Sequence, residues 1–284
     1  GDLKLRSCRK LECLPKRLRV AGMLDVSSTP IKSIPSCLEL GGSLKMRGLE
    51  ELQHLPDGLT INGTLDASLC RSLEKLPQGL TIKGALFLEK CCGVSEIPSD
   101  SRIEKGLLLR GCASLTKLPD ELHITGYLDV SDCVALKTLP LVLTVSGDFK
   151  SQRCKFKELS PELKVGGSVD LWNCTRLQTL SPELKVGGSV NLTNCIRLQK
   201  LPDSLASING DLCLGGCIKL KSFPQCLTVS GDLSIHSCPQ LKSLPKLAVG
   251  SLMLDDCTSL TSLPEDSKVG EGLYLSGCTN IVSL

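Results

Sequence analysis

Gly210-Asp211-Leu212-Cys213-Leu214-Gly215-Gly216-Cys217 and Gly231-Asp232-Leu233-Ser234-Ile235-His236-Ser237-Cys238 are two copies of one phrase, set 21 residues apart. Extended in both directions, the phrase becomes a unit, G-x-L-x-L-x-x-C-x-x-L-x-x-L-P-x-x-L-x-V-x, that fills the 284-residue chain. Units begin at Gly1, Gly22, Gly42, Gly63, Gly84, Lys105 and Gly126, then at Gly147, Gly167, Gly188, Gly210, Gly231, Gly250 and Glu271. Length alone suggests two domains, but a chain that repeats at this period grows along one axis without a central core. The expectation is one repeat domain over 1–284, about 14 units, excised from a longer protein because its first and last units are uncapped.

Positions are counted from the glycine that opens each unit. Position three is apolar throughout, from Leu3 to Leu273, and position five in all but the unit that carries Ser151. Alternation with a period of two is the mark of a strand buried on one face. The second half, L-P-x-x-L-x-V, is too short for a helix, and its proline lacks the N–H that a helix interior or a central ladder uses. It reads as a short extended, non-helical return on the convex side of a parallel concave sheet. Leu227 to Ile235 alternates without a break, which leaves open a second short strand or a β-helix-like cross-section. Length changes fall near Thr29, Cys154, Ala206 and Pro245, all in connections. A one-residue slip inside a strand would turn every inward side chain outward.

Twelve of the seventeen cysteines occupy position eight: Cys8, Cys70, Cys91, Cys112, Cys133, Cys154, Cys174, Cys195, Cys217, Cys238, Cys257 and Cys278. Zinc sites pair cysteines a few residues apart, and no histidine shares this register. Stacked strands would hold equivalent side chains in parallel, whereas a disulfide needs them turned toward each other. The expected role is a small, polarisable, weakly donating side chain in a tight inward corner. Free thiols in such number suit a reducing intracellular compartment.

The net charge of +3, from 33 basic and 30 acidic residues, gives no global pull toward nucleic acid or membrane. No apolar run reaches the roughly 18–20 residues of a membrane span, and the opening Gly1-Asp2-Leu3 reads as an excised segment rather than as a basic-then-apolar leader. The expected partner is a protein, with no nucleic acid, no membrane insertion, no metal and no small-molecule cofactor.

At L-x-L-x-x-C-x-x-L-x-x-L-P the unit resembles the leucine-rich repeat, and the match covers the whole chain. The 20–22-residue length with its L-P return resembles the short class best known from secreted bacterial effectors. That resemblance implies a horseshoe that grips a protein partner on its concave face, in the host cytoplasm, and in several such effectors precedes a ubiquitin-ligase domain with a Cys-x-Asp motif. This chain departs from the pattern: it has no Cys-x-Asp, no non-repeat domain, and Cys where the ladder has Asn.

If positions three and five point inward, positions two, four and six form the open face. Trp172, Tyr127, Tyr274 and Phe87 all lie there, as large rings placed outward like binding anchors. Phe87, Leu108 and Tyr127 on successive strands, with Arg110 beside them, form the densest patch and have the composition of an interface core. Arg6 and Arg47, with Lys4 and Lys45, are interleaved with Asp25 and Asp66 on the first strands, a mixed field that reads first as a solvated face, while a basic start and the acidic lean of later aspartates would orient a complementary partner. His236 completes the candidate binding residues. The enzymatic alternative is a Cys213-His236-Asp255 hydrolase on three consecutive strands, or a carbohydrate-cleaving β-helix, which needs carboxylates on adjacent coils where Asp25, Asp66, Asp129 and Asp170 stand in alternating or distant ones. The open sheet gives the Cys213-His236-Asp255 set no pocket that excludes water, and the reading is a binding scaffold rather than an enzyme. A purely structural spacer is the third class.

Overall fold

A computed structural model describes residues 1–283. The chain is a parallel β-solenoid of stacked coils, one per sequence unit, and its contacts gather into two units, Gly1–Leu136 and Lys137–Leu284. Among the described residues the only helical element is a three-residue 3-10 turn, Asp203–Leu205.

In the first unit the main sheet takes one short strand from each coil, from Leu3–Lys4 through Ala85–Phe87 and Gly106–Leu108 to Leu128–Asp129, in chain order. In the second it runs from Phe149–Lys150 to Leu273–Tyr274 in the same way. The register is position on position: Leu3 faces Leu24, Leu44 faces Leu65, and Leu233 faces Leu252 across the shortened coil. Positions three and five form the core, with Leu24, Leu65, Leu107 and Phe149 at 0% exposure. The shortened coils keep their apolar residue inside as well, since Ile31 and Phe156 are both buried.

The returns are more regular than bare extended connections. The L-x-V segments pair in parallel, as in Thr60–Ile61 with Thr81–Ile82 and Arg102–Ile103, or Cys226–Val229 with Lys246–Val249. A third line of pairing joins position thirteen of neighbouring coils, at Glu96–Lys117, Glu158–Thr179, Lys200–Ser222 and Ser262–Ser283. Backbone pairing thus runs along the returns as well as along the main sheet, and the second short strand that the alternation of 227–235 allowed is present at Cys226–Val229.

Two devices turn the corner after the main strand. The residue at position seven is left-handed in every coil, with φ between +57° and +74°, including Leu69, Lys90 and Arg153. Such φ values disfavour residues with a Cβ, and the slot is accordingly rich in Gly, Asn, Asp and Ser. Position eight then closes a turn, its N–H donating to the position-five carbonyl, as from Cys112 to Leu109 at 3.0 Å. At position one, glycine lets successive backbones touch: Gly84 N–H donates to Gly63 O at 2.9 Å, and a Cβ on Gly84 would lie 2.6 Å from that carbonyl.

All seventeen cysteines are free. Within each unit buried thiols form a ladder, donating to the position-five carbonyl of the preceding coil: Cys70 to Met46 at 3.1 Å, Cys112 to Leu88 at 3.0 Å, Cys174 to Ser151 at 3.0 Å and Cys257 to Ile235 at 3.2 Å. Where position eight is Leu49 no thiol reaches back, and the buried carbonyl it would have met, Val26 O, accepts instead from the Thr29 hydroxyl of its own coil at 2.7 Å. Burial raises these thiols, to about 11 at Cys70 and about 12 at Cys112, Cys174 and Cys217. Cys91, Cys195 and Cys238 move further in the same direction, pushed by burial first and by flanking thiols second.

Candidate functional site

The open face of the main sheet is less free than period-two reasoning implies. In five coils position four holds a carboxylate or amide, and it accepts the N–H two residues on: Asp25 from Ser27 at 3.0 Å, Asp129 from Ser131 at 2.8 Å, Asp170 from Trp172 at 3.1 Å and Asn191 from Thr193 at 3.1 Å. Short polar side chains that bond the backbone ahead of them fix a turn, so these aspartates shape the strand end. At position two, Asp148 accepts from Ser168 N and Asp232 from Ser251 N, both at 2.8 Å, tying each coil to the next. The acidic lean of the later coils is thus largely committed to the scaffold. Position six is not uniformly outward either, because Ser27, Ser68 and Ser131 are buried there.

Against that background the aromatic patch of the first unit is the main outward feature that the turns do not use. Phe87 and Leu108 are register partners on adjacent strands, each half-buried. Tyr127 is 41% exposed, and its ring lies back over Gly106, where a Cβ would meet the ring carbons at 3.1 Å. The missing side chain at Gly106 therefore seats the ring beside Leu108. Phe87, Leu108 and Tyr127 become one shallow apolar platform, and Ala85, paired with Gly106, is buried beneath its edge. Arg110 sits at the rim and reaches Asp132 at 3.5 Å. Arg47 is held by Glu89 at 3.7 Å across the buried Ser68, and Arg6 is exposed on the first coil.

The second unit spreads its candidates out. Trp172 is half-buried with the Arg153 guanidinium 5.2 Å above its ring, a cation–π contact that covers one face. His236 lies over the backbone of Gly215, and Tyr274, 53% exposed, leans over Gly272. Three coils separate Trp172 from His236 and two more separate His236 from Tyr274, so at about 4.8 Å per coil they form no common surface.

The same placements bear on Cys213, His236 and Asp255. The His236 ring packs on Gly215, and its Nδ1 lies 3.5 Å from Ser237 Oγ. Asp255 accepts the Ser276 N–H at 2.8 Å. The Cys213 thiol is raised by burial and then by Asp211, Asp170 and Asp232, the direction opposite to an activated nucleophile. No group of three or more His, Cys, Asp or Glu side chains is arranged to hold a metal among the described residues. No helix there is long and apolar enough to cross a membrane.

Position seven, the position-two and position-four caps, and the glycine seats beneath Tyr127 and His236 escaped the sequence reading. The first left a signal in the Gly/Asn/Asp/Ser bias of its slot, but the seats left none, because every glycine looked like the turn glycine. No protein-family model matches the chain, and no curated protein matches it either.

Proposed function

We propose that this chain is a leucine-rich-repeat-type recognition scaffold that binds a protein partner, without catalysis, through the Phe87–Leu108–Tyr127 platform. The observation that carries the reading is the platform itself. Two apolar side chains in direct register and a tyrosine ring seated on Gly106 make a contiguous, partly exposed surface. Apolar and aromatic anchors with arginine at the rim are what protein interfaces enrich. Stacked strands hold the anchors rigid, so little conformational freedom is lost on binding. In keeping with the repeat's resemblance, the finer reading is the substrate-recognition part of a bacterial effector working in a reducing host cytoplasm.

The test is a comparative pull-down with the wild type, a Phe87→Ala/Leu108→Ala/Tyr127→Ala variant and a Trp172→Ala variant. Truncating central anchors costs about 2 kcal/mol or more each, roughly 30-fold in affinity. The triple variant should lose the partner that Trp172→Ala retains. Identical partner sets from all three proteins would refute the platform as the binding surface.

A further inference from the structure

The +3 net charge hides a segregated ridge. At the corner after the cysteine turn, positions nine to thirteen of the first unit carry six basic and five acidic residues, with Lys32 and Glu51 paired at 2.9 Å. Over Lys137–Ser243 the same positions carry nine basic residues and one acidic residue, Glu158. Position ten is Lys155, Arg176, Arg197 and Lys219 on four successive coils. Position twelve adds Lys137, Lys157, Lys221 and Lys242, and position thirteen adds Lys200. Among the described residues none of these nine forms an ion pair.

Backbone pairing fixes this row. Gln178 N–H donates to Lys157 O at 2.8 Å and Lys221 N–H to Gln199 O at 2.9 Å, so position twelve stacks on position twelve. Lys137, Lys155, Lys157 and Arg176 converge on one cleft of about 380 Å³. From Lys137 to Lys242 the ridge crosses five coil steps, about 24 Å at ~4.8 Å each. Its one ring, Phe156, is buried. Gln178, Gln199, Thr138 and Thr179 fill the gaps between cations, and an acidic row, Glu162, Glu183 and Asp203, bounds it at the next corner.

We propose that this ridge binds double-stranded DNA through its phosphates. A line of unpaired cations interleaved with amide and hydroxyl donors is the composition of phosphate contacts. The lack of exposed rings removes the stacking platforms that single strands need and the aromatic anchors that protein interfaces enrich. A flat anionic membrane would meet the acidic row as well. A ridge of about 24 Å spans roughly seven phosphates of one strand. The site lies in the second unit and is independent of the aromatic platform. It sets a local field against the global balance, from which no nucleic acid was expected.

The test is fluorescence anisotropy with a labelled 24-base-pair duplex across a salt series. The Lys155→Gln/Arg176→Gln/Arg197→Gln/Lys219→Gln variant should bind at least ~30-fold more weakly, with a log–log salt slope flatter by about three to four. A Lys137→Gln/Lys157→Gln/Lys221→Gln variant should flatten it by about two to three. An Arg9→Gln/Lys10→Gln/Lys16→Gln/Arg17→Gln control loses the same net charge and should stay within about threefold of wild type. All substituted side chains reach solvent, and circular dichroism should match the wild type. Equal weakening of ridge and control variants, an unchanged slope, or tighter binding of a charge-matched polyglutamate peptide than of the duplex would overturn the proposal.

Discussion

The thiol ladder makes the fold sensitive to alkali. Eight ladder thiols are raised by burial: Cys70, Cys91, Cys112, Cys174, Cys195, Cys217, Cys238 and Cys257. The lowest sit at about 11 in the folded chain, against about 8.5 for an unfolded thiol. A folded value above the unfolded one means stability is complete below about pH 8.5 and is lost as pH climbs toward the folded values. At pH 9.5 each unfolded thiol gains about 1.4 kcal/mol by ionising while its folded counterpart stays neutral, so eight together remove about 11 kcal/mol. That is comparable to the whole stability of a typical domain, about 5–15 kcal/mol. Urea unfolding followed by circular dichroism under reducing conditions, at half-unit steps from pH 7.5 to 10, should show a midpoint that collapses above pH 8.5. Cys174→Ala/Cys195→Ala lowers the starting stability but should reduce the pH slope by about a quarter. A midpoint constant to pH 10, or a slope indifferent to ladder cysteines, would refute the account.

In native protein at pH 8, a thiol reagent should react quickly with the exposed Cys8, Cys13, Cys37, Cys92 and Cys226. A thiol held at about 12, such as Cys112, is ionised only about 10⁻⁴ there, so the buried set should wait for unfolding. Ser151 is fully buried in the apolar row with its hydroxyl unpartnered, so Ser151→Ala should leave stability unchanged or raise it by about 1 kcal/mol in a thermal melt. Gly84→Ala forces a Cβ onto the Gly63 backbone and should cost about 1–3 kcal/mol by the same melt. Lys90→Gly, at φ +58°, should raise the melting point by relieving about 1 kcal/mol of strain.

How much of this was legible in the sequence depended on whether a residue answered to the repeat. The strand, its register and the tolerance of the short coils followed from Leu and Val periodicity, because burying one face permits a single phase. The thiol corner was readable because Cys recurs, although its acceptor, a carbonyl about 24 residues earlier, required the stacking geometry. The returns were read as connections because each L-x-V is too short to declare a strand by itself, and only neighbours supply its bonds. At the platform, Phe87 and Tyr127 were visible as outward rings, but the seat on Gly106 depended on one glycine differing in function from its equivalents. The basic ridge was missed because summing charge over the chain cancels a pattern that exists only at one corner of six coils.

The thiol bonds all run in one sense, from a coil to the one before it, as from Cys70 to Met46 and from Cys278 to Leu254. As the chain is synthesised, each new thiol therefore finds its acceptor already laid down, while the position-seven N–H of the same corner donates forward, as from Leu69 to Glu89 O at 2.8 Å. Each finished corner is thus bonded in both directions, backward by its thiol and forward by its backbone N–H. Damage to one corner should therefore loosen the coils on both sides of it.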